Sequence, residues 1–238
     1  MQTQYHRCMQ LRNIPESKFN TKKISIISNC DKCSSVGFIS CDKCSLLDKL
    51  YGRYYSGNIP VDYWDKKISD FYGDKKMVSL YDQIFLNIDQ FLSEGMSLFL
   101  KGQHGVGKTL FASLVLKKMA EKGYNVLYTT LFDIVSAAIQ GDYKDKYDSV
   151  RELKMTDLLV IDEFDPRFFS NDNSAELFGR ILESIIRIRF QNKISTIMIT
   201  NNPDPTKAFG DSLKASIDSL ISGYCKQIYV IGPDARNK

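Results

Sequence analysis

No apolar run in these 238 residues approaches the length that a bilayer-spanning helix needs, so a transmembrane segment is not expected. The first twenty residues, Met1 to Asn20, are polar and of mixed charge, unlike a secretory leader. A strong charge of one sign is also lacking. Lys and Arg total 32 against 28 Asp and Glu, a net +4 that is weak evidence for a nucleic-acid surface when taken whole. There is no internal repeat and no low-complexity tract. With 43% apolar and 25% charged residues, the composition is that of an ordinary globular chain able to bury a sizeable core. The length suits one large domain with a small appendage.

The charge is unevenly placed. Residues 1–60 hold nine basic and four acidic residues, an excess of +5, and the remaining 23 basic and 24 acidic residues leave −1. Cysteine is equally clustered: four of six fall in fifteen residues, Cys30, Cys33, Cys41 and Cys44, as C-x2-C-x7-C-x2-C. Each C-x2-C pair can aim two thiolates at one point, and two pairs complete a closed tetrahedral Zn2+ site. The seven-residue gap leaves room for a hairpin turned at Gly37. A pair of disulfides, or four unrelated thiols, is the competing reading; a chain without a leader is expected in a reducing, cytoplasmic compartment, which disfavours disulfides. Cys8 and Cys225 read as ordinary thiols.

Residues 1–28 are poorly patterned, and residues 46–60, with Tyr51, Tyr54 and Tyr55 beside Arg53, read as a linker. Those aromatic and basic residues are compatible with a solvated face or with nucleic acid. Helical spacing follows up to Gly95. Beyond it, short apolar runs at Met96–Leu100, Val126–Tyr128, Leu158–Ile161, Thr196–Ile199 and Gln227–Ile231 alternate with helical patterns at Thr109–Lys122, Leu131–Gln140, Ala175–Phe190 and Leu213–Ile221. That alternation predicts an α/β fold, a parallel sheet sandwiched by helices, preceded by a small zinc-binding N-terminal region.

The segment Gly102-Gln103-His104-Gly105-Val106-Gly107-Lys108-Thr109 fits G-x4-G-K-[ST] between a strand and a helix, the context of a P-loop. Gly102, Gly105, Val106, Gly107, Lys108, Thr109 and Leu110 would cradle the phosphates of ATP at the positive helix end. Lys108 would reach the β- and γ-phosphates, and Thr109 would hold Mg2+. Leu158-Leu159-Val160-Ile161-Asp162-Glu163 is a buried strand ending in two carboxylates. Asp162 suits the Mg2+ shell, and Glu163 suits polarisation of the attacking water. Asn201, behind Thr196–Ile199, is a candidate γ-phosphate sensor; a turn residue before Pro203 is the alternative. Arg189 sits among Leu182, Ile185 and Ile186, inside an apolar stripe, where a charge must snorkel or meet a partner surface. Glu176 with Arg180 and Glu183 with Arg187 are spaced as surface pairs.

In this order the motifs resemble those of AAA+ ATPases. Gly57-Asn58-Ile59-Pro60, Tyr63 and Asp70-Phe71 ahead of the P-loop, the cysteine knuckle, and the ending Gly232-Pro233-Asp234-Ala235-Arg236 resemble the bacterial replicative helicase loader family of the DnaC/DnaI type. The IstB-type transposition ATPases share that core. The resemblance covers residues 29–238 and implies a knuckle region (1–56) that grips a hexameric replicative helicase. It also implies an AAA+ P-loop NTPase core (57–238, with lead-in helices over 57–95) that meets single-stranded DNA and self-associates when ATP-bound. It places Arg236 at the nucleotide and Arg167, Phe168 and Phe169 in a DNA-contacting zone, and it makes an arginine near Arg189 usual. One departure stands out. The helix before the last strand, where such families carry an arginine serving the neighbouring site, reads Leu213-Lys214-Ala215-Ser216-Ile217-Asp218-Ser219-Leu220, with only Lys214 as a substitute. The expected function is an ATP-driven helicase loader; a transposition- or phage-associated ATPase, or a nucleotide-switched adaptor, is the alternative.

Overall fold

Five short runs become strands; the three inner ones are buried on both faces, as a parallel sheet requires, and the last in the chain is a largely exposed edge. The five are β1 (Ser97–Lys101), β2 (Val126–Thr130), β3 (Leu158–Asp162), β4 (Ser195–Thr200) and β5 (Cys225–Tyr229). All neighbours pair in parallel, in the order β2-β3-β4-β1-β5. The computed structural model describes residue 11 and residues 13–140, 142–165 and 172–234. Arg167, Phe168, Phe169, Arg236 and Cys8, singled out above, lie outside the described residues.

Strand alternation sorts the core into two layers. Leu98, Leu100, Val160, Ile197 and Ile199 face α6 (Lys108–Lys122), α4 (Lys75–Leu86) and α5 (Ile88–Ser93). Phe99, Leu159, Ile161 and Met198 face the other way. There they meet α7 (Leu131–Ile139), α8 (Tyr143–Met155), α9 (Asp172–Gln191) and α10 (Asp211–Tyr224). In the lead-in, two 3-10 turns, Val61–Tyr63 and Ile68–Asp70, precede the helices α4 and α5.

Three helices depart from the sequence reading. Residues 1–28 contain α1 (Glu16–Ser28), and the expected linker is the last part of α3 (Asp42–Ser56), which follows a single turn, α2 (Asp31–Ser34). Helix α8 was not expected either; its described buried residues are only Ser149 and Leu153, too few to mark a stripe in a lysine-rich segment. The tyrosines of α3 take part in packing. The Phe19 and Tyr55 rings stack 5.2 Å apart, and Tyr51 and Tyr54 lean on Trp64. The Tyr54 hydroxyl donates to Glu121 (2.6 Å), and Arg53 donates to the carbonyls of Ala120 and Glu121 at the end of α6. The N-terminal helices are thus docked on the P-loop helix.

Arg189 requires a correction. It is neither snorkelling nor presented to a partner: it is fully buried. Its guanidinium donates to Thr196 Oγ1 (2.9 Å), to the carbonyls of Leu153 and Thr156 (2.9 Å each), and to that of Ser195. These acceptors are the unsatisfied carbonyls at the end of α8 and the entry to β4. Desolvation pulls the group down to about 9, still above neutrality, so it remains a cation. Replacing Arg189 with Met keeps volume but strands three buried carbonyls, each worth about 1–3 kcal/mol. Arg189→Met is expected to cost at least ~3 kcal/mol of stability in urea denaturation; an unchanged midpoint would contradict this capping role.

Candidate functional site

The chemistry collects at the C-terminal ends of β1, β3 and β4. In register, Lys101 pairs with Thr200 and Ile161 with Met198, so Gly102, Glu163 and Asn201 leave the sheet at one level. This is the edge where open parallel sheets bind ligands.

The P-loop leaves β1 and enters α6. Gly105 and Gly107 hold φ of +77° and +93°, a region that L side chains avoid. A Cβ on Gly105 would lie 1.8 Å from Asp234 Oδ1, so the closing segment of the chain rests directly on the loop. Gly102 is equally confined: a Cβ there would meet the Val230 carbonyl at 2.3 Å. Val106 is buried and Leu110 half-buried, tying the loop to the core. Lys108 is buried, and its ammonium donates to the carbonyls of Gly102 (2.7 Å) and Gln103 (2.6 Å). Its charge therefore sits inside the loop that would wrap an anion.

Asp162 is buried at the end of β3. Its Oδ2 accepts from the Thr109 hydroxyl (2.7 Å) and from Tyr128 OH (2.8 Å), and its Oδ1 accepts from the Glu163 backbone N–H (2.7 Å). With its proton given to Asp162, Thr109 Oγ1 turns its lone pairs outward. A hydroxyl and a carboxylate side by side form the hard oxygen donor set that suits Mg2+. Tyr128 escaped the sequence reading. Its only signal is strand alternation, which puts Val126 and Tyr128 on the α6 face with Val160.

Glu163 is exposed, beside Asp162, with its backbone at φ +50°. Such a conformation costs a non-glycine residue roughly 1–3 kcal/mol and recurs at functional sites. A tight turn holds it: Asp165 N–H donates to the Glu163 carbonyl (2.6 Å), and Phe164 N–H to that of Ile199 (2.9 Å). Partial burial raises the Glu163 carboxyl above the usual range; the charges of Asp162 and Asp133 add to this, and His104 opposes it. Asn201 is half-buried at the end of β4. Its neighbour Asn202 instead donates to Asp165 Oδ1 (3.2 Å), so only Asn201 follows the strand without entering that contact.

The four cysteines converge as expected, but on helix starts rather than on a hairpin. Cys30 and Cys41 precede α2 and α3, and Cys33 and Cys44 lie in their first turns, each pair as C-D-K-C. The Sγ atoms all lie within 4.8 Å of one another and are free thiols. Cys41 Sγ is 3.8 Å from Cys30 and 3.7 Å from Cys33. Four Zn–S bonds of about 2.3 Å place tetrahedral sulfurs about 3.8 Å apart, so the residues fit Zn2+. Ser40 N–H donates to Cys33 Sγ and holds that thiol down to about 6, ready for a cation; burial pushes Cys44 the other way.

Lys214 does not project as a free cation. It bridges Asp204 (2.7 Å) and Asp218 (2.8 Å). Arg180 and Arg187 pair with Glu176 and Glu183 (2.6 Å each), as their spacing predicts.

Residues 98–209 match the family described as "ATPase family associated with various cellular activities (AAA)". That match covers 112 of the 238 residues and includes the P-loop, Asp162, Glu163 and Asn201. No curated protein matches it in sequence. Among solved structures it is similar to DnaI, with TM-score 0.58 and 17% identity, over 74% of this chain and 94% of that one. It is similar to the DnaC helicase loader, with TM-score 0.52 and 20% identity, over 71% and 99%. It is also similar to the replication initiator DnaA bound to AMPPCP and single-stranded DNA, with TM-score 0.56 and 18% identity, over 75% of this chain but only 53% of that one. These likenesses establish the fold. Among the described residues no helix is long and apolar enough to cross a membrane.

Lys108→Ala is expected to abolish ATP binding in equilibrium titration; unchanged affinity would refute the phosphate cradle. The purified chain is expected to carry one zinc by atomic absorption. Cys41→Ser should lose that zinc while retaining ATP binding, and a metal-free wild-type chain with a fully folded N-terminal region would count against the cluster.

Proposed function

We propose that the protein is an ATP-dependent loader that delivers a hexameric replicative helicase to single-stranded DNA. The observation that carries this reading is the joint presence of a four-cysteine knuckle region and an AAA ATPase domain in one short chain. Its fold likeness to DnaI and the DnaC helicase loader spans nearly the whole of both. The DnaA likeness supports single-stranded DNA as the nucleic acid.

In this reading the P-loop amides from Gly105 to Leu110 bind the ATP phosphates, and Lys108 turns from Gly102 and Gln103 toward the β- and γ-oxygens. Bound Mg2+, held through Thr109 and Asp162, would supply charge neutralisation between those phosphates. Glu163 orients the attacking water and accepts its proton; Asn201 reads the γ-phosphate. The knuckle region grips the helicase, and the ATPase core self-associates when loaded with ATP and meets DNA. Residues 61–238 are nearly neutral, at −1, so in this reading DNA contact rests on placed side chains and assembly rather than on a large net charge.

A second reading, a nucleotide-switched adaptor with little turnover, draws on one observation. Residues 213–220 lack arginine, and Lys214 is held by two carboxylates. A lysine also lacks the guanidinium fork. Slow basal hydrolysis that accelerates with a partner is therefore expected.

Glu163→Gln separates the readings: it is expected to trap ATP and abolish turnover, whereas an adaptor would behave the same with either residue. As pH falls, wild-type turnover should be lost when Glu163 takes up a proton. Because its pKa is raised, that loss should come at a higher pH than an ordinary glutamate would give, read from the acid limb of kcat.

A further inference from the structure

Strand β2 closes one edge of the sheet, yet its outer side is not bare. Tyr128 N–H donates to the Gly57 carbonyl (2.8 Å), and the Tyr128 carbonyl accepts from Asn58 Nδ2 (3.0 Å). Both backbone groups of one edge residue are thus taken by the bend that joins α3 to the lead-in. The bend is tightly held. Asn58 is 3% exposed and sits at φ +52°, and its Oδ1 accepts from Asn13 N–H (3.0 Å). Gly57 leaves no room for a side chain, since a Cβ would fall 2.8 Å from Val126 Cγ2.

The side chain of the same residue turns to the α6 face and ends at the nucleotide site. Its hydroxyl donates to Asp162 Oδ2, the oxygen that also takes the Thr109 hydroxyl. Two donors on Oδ2 and one on Oδ1 fix the plane of the carboxylate. Removing the phenol oxygen leaves Oδ2 with one. A bare aromatic filler would need no hydroxyl here; this hydroxyl has its partner within 2.8 Å.

We propose that Tyr128 is a positioning residue for Asp162 and links it to the Gly57–Asn58 bend, so that the site's hold on Mg2+ depends on where the N-terminal helices sit. This inference rests on the reading of Thr109 and Asp162 as the metal-holding pair. A force that moves α3 acts on the bend, on β2 at Tyr128 and then on the carboxylate. By reciprocity, Mg2+–ATP would bias the placement of the N-terminal helices by the same free energy.

The test uses the full chain and a non-hydrolysable ATP analogue, with affinity measured by calorimetry with and without Mg2+. Tyr128→Phe keeps the ring and should leave the metal-free affinity unchanged. The Mg2+ concentration for half-maximal enhancement should rise about 10–100-fold, the usual loss when a residue supporting a metal ligand is removed. Asn58→Gly keeps the left-handed backbone, removes the side-chain bonds, and should shift the Mg2+ requirement in the same direction. The double variant should shift it by no more than the larger single effect, since both act through one joint. A wild-type Mg2+ requirement in Tyr128→Phe overturns the positioning role. No effect from Asn58→Gly, or full additivity, overturns the link to the bend. A wild-type chain that binds the analogue equally with and without Mg2+ overturns the metal-pair reading itself, a different result from either.

Discussion

The Asp162 carboxylate, fixed by three donors from three separate elements, is the constraint on which the site depends. Thr109 comes from the start of α6, Tyr128 from β2, and the Glu163 N–H from the turn after β3. These groups meet only if β2 and β3 keep the pairing of Thr130 with Asp162. A slip of one residue would send the Asp162 side chain to the opposite layer. The continuous apolar run Leu158–Ile161 suits either layer, so the discriminating residue is Asp162 at its end, which finds its three donors in this register. Strand β4, between β1 and β3, brings Asn201 to the edge where the P-loop and Glu163 already are.

The N-terminal helices are part of this arrangement. A C-D-K-C pair heads each of α2 and α3, and the rest of α3 runs onto the P-loop helix through Tyr54, Arg53 and Trp64. Arg53 completes the carbonyls at the far end of α6, the helix whose first turn carries Lys108 and Thr109. The knuckle heads α3 and the P-loop heads α6, and the two helices meet through their last turns, so the two sites stand at the ends of one connected pair. In a loader, that continuity would let capture of a helicase at one end report on nucleotide at the other.

The local motifs were legible because their chemistry is spaced along a few residues. The P-loop, the Asp162–Glu163 strand end, the cysteine pairs and the alternation that predicts a parallel sheet are all of this kind. Contacts between distant residues were not legible. Arg189 shows in sequence as a charge in an apolar stripe, but its acceptors at Leu153 and Thr156 lie 33 to 36 residues earlier. Tyr128 and Asp162 are 34 residues apart. Helix α8 buries too small a face to show a period, and in α3 the scattered tyrosines hid one. Their burial depends on Phe19 and Trp64, which no local pattern connects to them.

The central claim, that this ATPase loads a ring-shaped helicase, is tested most directly on closed circular single-stranded DNA, onto which a closed ring cannot thread. A replicative helicase, ATP and a labelled strand annealed to the circle suffice. The account predicts strand displacement that requires this protein, fails with Lys108→Ala, and is weakened with Cys41→Ser. Displacement at the same rate without the protein, or with Lys108→Ala in its place, would contradict it.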